Sequence, residues 1–180
     1  MKKAVFLDRD GVINKAFVVK GVPTPPKNYV EVEILPGVKE AVKLLFAHGY
    51  QLVVVTNQPD VARGDATKES VESVNQYLSN ALGIIHWYVC YHDDSDSCNC
   101  RKPMPGLIHA AAKDLDINVG NSFMIGDRWR DIAAGQAAGC ECYFVDHGYS
   151  EISPSPPYTR VFSFIEATKM ILETTDDTFN

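Results

Sequence analysis

The sequence predicts an α/β fold with three layers, in which a parallel central sheet lies between helices on both of its faces. Short apolar segments alternate along the chain with segments whose apolar residues recur at helical spacing. Because two parallel strands need a crossover between them, this alternation favours a parallel sheet. The chain has 180 residues, of which 46% are hydrophobic, and this is enough for one sizeable core. We therefore expect a single domain over residues 1–180.

Five strands and five helices are predicted in alternation. Apolar runs predict strands at residues 4–7, 51–55, 86–89, 122–125 and 142–145. Helical spacing predicts helices at residues 36–49, 67–83, 105–115, 131–138 and 164–172, and the chain beyond residue 172 is expected to fray. Thr67 has the side chain of an N-cap, and Gly49, Gly83 and Gly139 supply the glycine that commonly follows a helix.

Residues 14–35 form a long stretch without a clear period, and they contain Pro23, Pro25 and Pro26. Structureless loops of this length are uncommon inside a domain and are often functional. We therefore interpret the stretch as a lid or substrate loop. The proline-rich residues 153–157 are predicted to be a second loop.

The charge and cysteine content narrow the class of protein. A formal net charge of -6 disfavours binding to the nucleic-acid backbone. The sequence contains no apolar run of membrane-spanning length and no secretory signal, so we expect a cytoplasmic protein without a membrane partner. Five cysteines in that compartment indicate metal binding or buried thiols before disulfides, and Cys140 and Cys142 are expected in the core.

Two carboxylates directly follow the first predicted strand, at Asp8 and Asp10. Residues two apart on an extended chain point to the same side, so both can face one pocket. Two such carboxylates repel each other unless a cation such as Mg²⁺ lies between them. One can attack phosphorus, and the other can protonate the leaving oxygen and then activate water. The alternative interpretation is a turn with helix-capping aspartates.

Two further polar segments suit a phosphate group. Thr56, Asn57 and Gln58 follow the second predicted strand and can donate hydrogen bonds to phosphate oxygens, although an ordinary polar turn has the same composition. Lys102, next to Arg101, supplies a compact positive charge that can neutralise a nucleophile and a transferring phosphoryl group. The alternative for this pair is a solvated surface position.

A third polar segment follows the predicted strand at residues 122–125. Asp127 can complete a magnesium shell there, and Asp131 lies one helical turn later. Asp131 can bind a metal-bound water or cap the helix, and the sequence leaves both roles open.

In their order and placement, these segments resemble the haloacid dehalogenase superfamily of phosphohydrolases. The resemblance covers roughly residues 6–149 and implies a three-layer Rossmann-like fold. It implies that Asp8 is the nucleophile and Asp10 the general acid/base, while Thr56 and Lys102 hold and neutralise the phosphoryl group. It also implies a magnesium site formed by Asp8, the backbone carbonyl of Asp10, and Asp127.

A polar loop at residues 90–100 contains Cys90, His92, Cys98 and Cys100. Three thiolates and one imidazole make a closed tetrahedral ligand set for Zn²⁺. With no open position, such a zinc would be structural and would fix the loop that leads into Lys102. The alternative is a set of unligated thiols.

The zinc loop and the chain length resemble a group of these phosphatases that lacks a large cap and acts on a heptose bisphosphate or on histidinol phosphate. A bisphosphate needs cations besides Lys102, and Arg63, Arg101, Arg128 and Arg130 are available for it. Asn57 and Gln58 are further candidates for binding the substrate. For histidinol phosphate, the substrate amine would need a carboxylate such as Glu31, Glu33 or Asp60. An alternative of another class is a zinc-stabilised binding module without turnover. The expected partner is a small phosphorylated molecule, bound by a monomer.

Overall fold

Eight strands and six helices account for most of the described chain. The computed structural model describes residues 1–19 and 21–176. The strands are β1 (Ala4–Leu7), β2 (Phe17–Val19), β3 (Val22–Thr24), β4 (Gln51–Asn57), β5 (His86–Cys90), β6 (Phe123–Gly126), β7 (Glu141–Val145) and β8 (Thr159–Val161). The helices are α1 (Val38–Ala47), α2 (Asp60–Arg63), α3 (Lys68–Leu82), α4 (Gly106–Leu115), α5 (Trp129–Ala138) and α6 (Phe164–Asp176).

Six of the strands form a parallel sheet in the order β5-β4-β1-β6-β7-β8. The chain builds the sheet outward from β1 on one side, through β4 and β5, and then returns to place β6 on the other side of β1. The strand order therefore reverses at β1, and ligands in open parallel sheets bind at such a point, beyond the carboxyl ends of the strands. The predicted parallel sheet is confirmed.

Alternate residues of the strands enter two separate cores, one on each face of the sheet. Val5 and Leu7 of β1 pack with residues of α1, α3 and α6, whereas Ala4 and Phe6 pack with residues of α4 and α5. All four residues of β1 are buried, as expected for a strand covered on both faces. The three-layer prediction is thus correct. Among the described residues, no helix is both long and apolar enough to cross a membrane.

The helix ends match their sequence signals. The Thr67 hydroxyl accepts a hydrogen bond from the Ser70 backbone N–H at 3.1 Å and caps α3. Gly83 and Gly139 follow α3 and α5 with positive φ angles of 74° and 94°. Cys140 and Cys142 are buried in the core beside α5, as predicted.

Several elements differ from the prediction, and one of them is the four-residue helix α2, which was not predicted. Residues 14–35 contain an antiparallel hairpin of β2 and β3 and a one-turn helix at Tyr29–Glu31, so this stretch is not an irregular loop. The short strand β8 was missed because three residues show no readable period, and its pairing with β7 is a tertiary contact. Helix α6 continues to Asp176 and does not fray after residue 172; the last part of the predicted frayed tail, residues 177–180, lies outside the described residues.

Candidate active site

The polar residues selected from the sequence meet at the carboxyl ends of three adjacent strands. Asp8 follows β1, Asn57 ends β4 and Asp127 follows β6, and β1 lies between the other two strands. Lys102 comes from the loop between β5 and α4. A cavity of about 290 Å³ opens here, and its lining includes Asp8, Asp10, Asn57 and Lys102.

Lys102 joins two carboxylates in the floor of this cavity. Its Nζ lies 2.6 Å from Asp8 Oδ1 and 2.7 Å from Asp131 Oδ1, and it also donates to the Val55 carbonyl at 2.6 Å. The side chain is only 2% exposed. Burial alone would lower the pKa of Lys102, but the charges of Asp131 and Asp8 raise it above its ordinary value. Lys102 is therefore a fixed positive charge beside Asp8.

The Asn57 side chain positions Lys102. Its amide donates to the Lys102 carbonyl at 3.0 Å and accepts from the Lys102 backbone N–H at 3.0 Å. Two bonds of opposite direction between one side chain and one residue fix both the position and the orientation of that backbone. The loop after β5 is thus attached to the end of β4, close to the strand ends that carry the site residues.

Asp127 is a buried acid with unsatisfied oxygens. Among the described residues, neither of its carboxylate oxygens has a hydrogen-bond partner of standard geometry. Burial raises the pKa of Asp127 well above its ordinary value, and the neighbouring Asp8 and Asp131 raise it further. The oxygens of Asp8, Asp127 and Asp131 lie within 4.8 Å of one another. Three clustered carboxylates with one lysine suit a divalent cation with oxygen ligands.

The same crowding acts on Asp8. Burial raises the pKa of Asp8 to about 7; Lys102 opposes this effect, and Asp131 and Asp10 add to it. A bound cation would remove this penalty and keep Asp8 ionised, as a nucleophile must be.

The Asp10 carboxylate is oriented by three side chains. Asn14 donates to Oδ1 at 2.9 Å and Gln58 donates to Oδ2 at 2.8 Å. The guanidinium of Arg9 contacts Oδ2 at 3.0 Å, and Arg9 itself is buried and donates to Asn75 of α3 at 2.7 Å. Asp10 therefore faces the cavity in one fixed orientation.

Position 11 accepts no residue type except glycine. Its φ angle is +92°, and an added Cβ atom would lie 1.8 Å from Asp127 Oδ2. Backbone and carboxylate thus meet where only a hydrogen atom fits. This contact holds the turn after β1 against the residue that follows β6.

Arginines line the outer part of the cavity, and two acids of the loop at residues 90–100 hold them. Asp93 accepts two hydrogen bonds from Arg63, at 2.6 and 3.0 Å. Asp94 accepts from Arg101 at 2.8 Å and from Arg130 at 3.1 Å. The hydrogen bond from Arg63 lowers the pKa of Asp93 to about 2.

Arg128 also lines the cavity, and its guanidinium pairs with Glu151. Thr56 and Gln58 lie deeper. Thr56 is buried and accepts from the Gln58 amide at 3.0 Å, while Gln58 lines a neighbouring cavity. Most of the predicted site residues thus line one cavity, whereas Thr56 and Gln58 lie next to it.

The four predicted zinc ligands converge. The sulfur atoms of Cys90, Cys98 and Cys100 are 3.1, 3.4 and 3.7 Å apart, and Nδ1 of His92 is 3.2 Å from Cys100 Sγ. A tetrahedral zinc with bonds of about 2.3 Å to sulfur has sulfur–sulfur edges of about 3.8 Å, so the three sulfur atoms lie at or inside the separation that such an ion requires. Burial raises the pKa of Cys98, but hydrogen bonds from the Arg101 backbone N–H and from Cys100 bring it down to about 7.

Comparison with known proteins agrees with this geometry. The profile of the haloacid dehalogenase-like hydrolases matches residues 16–139, which is more than half of the chain. The chain belongs to the haloacid dehalogenase-like hydrolases. The predictions of the family and of an enzyme are therefore confirmed.

Two relatives of this haloacid dehalogenase-like hydrolase share one name. The proteins from Helicobacter pylori strain 26695 and Vibrio cholerae are each 39% identical, over 74% and 77% of this chain and 77% of each relative. Both are called D-glycero-beta-D-manno-heptose-1,7-bisphosphate 7-phosphatase. The crystal structure of a D,D-heptose 1,7-bisphosphate phosphatase from B. bronchiseptica with magnesium and phosphate is 27% identical, with a TM-score of 0.81 over 96% of this chain and 99% of that one.

Sequence reasoning missed several residues of this hydrolase's site. Asp131 does more than the sequence indicated, because it binds Lys102 through Oδ1 and caps α5 by accepting from the Arg128 backbone N–H through Oδ2 at 3.0 Å. For Asp93 and Asp94, the sequence gave one indication, which is that both acids directly follow the predicted zinc ligand His92. His147 and Tyr149, which reach the site from the loop after β7, gave no signal at all.

We expect Gly11→Ala to lower kcat by about 100-fold or more, because the added methyl group must displace Asp127. Gly83→Ala is the matched control. It also has a positive φ angle, but nothing lies within 4 Å of the added Cβ. The control should lose about 1 kcal/mol of stability and keep its activity. Thermal unfolding and hydrolysis of p-nitrophenyl phosphate measure both, and normal turnover by Gly11→Ala would contradict the contact.

Proposed function

We propose that this hydrolase is a magnesium-dependent phosphatase that cleaves a phosphate monoester through an aspartyl-phosphate on Asp8. One observation above all supports this proposal: Lys102 Nζ lies 2.6 Å from Asp8 in a buried site that also contains the buried carboxylate of Asp127. An anionic phosphoryl group and an anionic nucleophile can meet only where positive charge offsets both.

The magnesium site would be formed by the carboxylates of Asp8 and Asp127 and the backbone carbonyl of Asp10. The donor set fits the ion, since Mg²⁺ prefers oxygen ligands, and neither buried oxygen of Asp127 has a hydrogen-bond partner of standard geometry in the part of the chain that the structure describes. When bound, the ion would offset the charge of the nucleophile and of the phosphoryl oxygens. Asp131, which pairs with Lys102, lies in the same cluster and would act on the lysine.

The reaction follows from the placement of the two acids. An oxygen of Asp8 forms a bond to phosphorus while the ester P–O bond breaks, and Asp10 gives its proton to the leaving oxygen. Asp10 then takes a proton from water, whose oxygen bonds to phosphorus as the bond between phosphorus and Asp8 breaks. Lys102 stabilises the charge in both steps, and Asn57 keeps Lys102 in place.

For the substrate, we propose a heptose 1,7-bisphosphate, cleaved at position 7. The names of the relatives support this choice, and so do four arginines of the cavity lining, which we call the cationic rim. Arg63, Arg101, Arg128 and Arg130 line the same cavity as Asp8, so a second phosphate has guanidinium partners within it. Chemically, the rim suits a small dianion.

The second candidate is histidinol phosphate, and one feature favours it. A neighbouring cavity of about 1000 Å³ shares Asp60 with the catalytic cavity and is also lined by Glu31, Glu33 and Asp65. A cationic amine would suit this acidic wall. However, Glu33 already pairs with Lys15 at 3.1 Å, and Glu31 accepts from the Lys27 backbone N–H.

We also propose a structural zinc bound by Cys90, His92, Cys98 and Cys100. Soft sulfur ligands with one imidazole suit this ion, and the four ligand atoms lie within 4.8 Å of one another. The loop leads directly into Arg101 and Lys102. Zinc would therefore support catalysis by positioning these cations.

We expect Asp8→Asn to reduce kcat to below about 1% of the wild-type value, because the amide is a poor nucleophile. The protein should stay folded, since Lys102 keeps its contacts with Asp131 and the Val55 carbonyl. Asp116→Asn is the control, an exposed aspartate far from the cavity. Phosphate release and circular dichroism test both variants, and substantial remaining hydrolysis by Asp8→Asn would refute its role.

The substrate is tested by phosphate release from heptose 1,7-bisphosphate, histidinol phosphate and fructose 1,6-bisphosphate, with Mg²⁺ present. We expect the heptose compound to give the highest kcat/KM. Arg101→Gln should raise KM for it by about tenfold and leave p-nitrophenyl phosphate almost unchanged, because only the bisphosphate needs the rim. Arg160→Gln, an exposed arginine on β8, is the control. Preference for histidinol phosphate would reverse the assignment.

We expect Cys98→Ser to lose bound zinc, unfold at a lower temperature and lower kcat. The reason is that the loop before Lys102 would lose a ligand to its metal. Cys140→Ala, a buried thiol outside the cluster, should keep its zinc. Metal analysis by mass spectrometry gives the zinc content, and purified wild-type protein without stoichiometric zinc would disprove the site.

A further inference from the structure

One side chain from the far side of β6 contacts the catalytic turn. His147 lies in the loop after β7, and its Nε2 is 2.7 Å from the carbonyl oxygen of Gly11. Because a carbonyl oxygen only accepts, Nε2 is the donor of this hydrogen bond. The contact joins residues that are 136 positions apart in the sequence.

Backbone hydrogen bonds within the turn also hold Gly11 in place. Its N–H donates to the Asn14 carbonyl at 2.7 Å, and the turn is closed again by Ile13 N–H and the Arg9 carbonyl at 2.9 Å. The Gly11 backbone also lies directly against the Asp127 carboxylate. A shift of Gly11 would therefore move the turn that follows Asp8, or Asp127, or both.

The same loop reaches Asp127 through a second residue. The Tyr149 ring lies 5.4 Å from the His147 ring, and its hydroxyl interacts with the Asp127 carboxylate. His147 contacts the segment after β1, and Tyr149 faces the segment after β6. These are the two segments that present the clustered carboxylates Asp8 and Asp127.

We propose that His147 is a positioning residue that fixes the Gly11 carbonyl and so sets the separation of Asp8 and Asp127. It touches neither the substrate nor the reacting atoms. The proposal rests on the proposed roles of Asp8 and Asp127, and it does not depend on which phosphate ester is the natural substrate. Its chemical requirement is a hydrogen-bond donor at the position of Nε2.

Two substitutions of nearly equal length test this requirement. His147→Gln keeps an N–H donor at a similar reach, and His147→Met removes it. Since His147 is exposed overall, neither change should disturb the core. His48→Met is the matched control, because the His48 ring also contacts a backbone carbonyl, that of Leu44 at 2.8 Å, but on helix α1 away from the site.

Turnover of p-nitrophenyl phosphate and calorimetric binding of Mg²⁺ alone are the two readouts. We expect His147→Met to lower kcat about tenfold or more and to weaken Mg²⁺ binding several-fold, with KM almost unchanged. His147→Gln should stay within about threefold of the wild type in both, and His48→Met should match the wild type.

The proposal is overturned if His147→Met equals the wild type in kcat and in Mg²⁺ binding, or if His147→Gln loses as much as His147→Met. An inactive wild-type protein, or an active Asp8→Asn variant, would instead count against the proposed function. The two failures are therefore distinguishable.

Discussion

The ammonium of Lys102 lies between the carboxylates of Asp8 and Asp131, out of contact with bulk water, and the rest of the site is organised around this contact. A buried charge is costly unless it is paired and hydrogen-bonded. The fold meets this demand with residues from three places: β1, the loop before α4 and the start of α5. The parallel sheet brings them together, because β1, β4 and β6 are neighbours and all end at the same edge.

The balance of charge in this cluster explains its chemistry. Three carboxylates face one lysine, and burial raises the pKa of both Asp8 and Asp127. The protein thus holds acidic groups in a state that costs free energy until a cation arrives. Because Gly11 has no side chain, the turn after β1 lies directly against the Asp127 carboxylate. A site built in this way is prepared for a metal ion and a phosphoryl group before either binds.

A second set of contacts, made by the loop at residues 90–100, surrounds this site. The loop at residues 90–100 contains the cysteine and histidine cluster and also Asp93 and Asp94. These two acids hold arginines from three segments of the chain, which are α2, the residue before Lys102, and α5. A metal that orders this loop would therefore order the cationic rim as well as the lysine.

The sequence by itself determined the family and the parallel sheet, and it selected most of the residues that line the candidate site. It did so because each of these leaves a local mark: Asp8 and Asp10 are two residues apart after an apolar run, and the four ligands of the cysteine loop lie within eleven residues. Only the tertiary structure decided the rest. From the sequence, Asp131 could bind a metal-bound water or cap the helix, and its bond to Lys102 depends on the packing of α5 against the sheet. The pairing of Asp93 and Asp94 with arginines and the bond from His147 to Gly11 join distant segments. Such contacts have no period or spacing, since the folded backbone alone sets the distance between their partners.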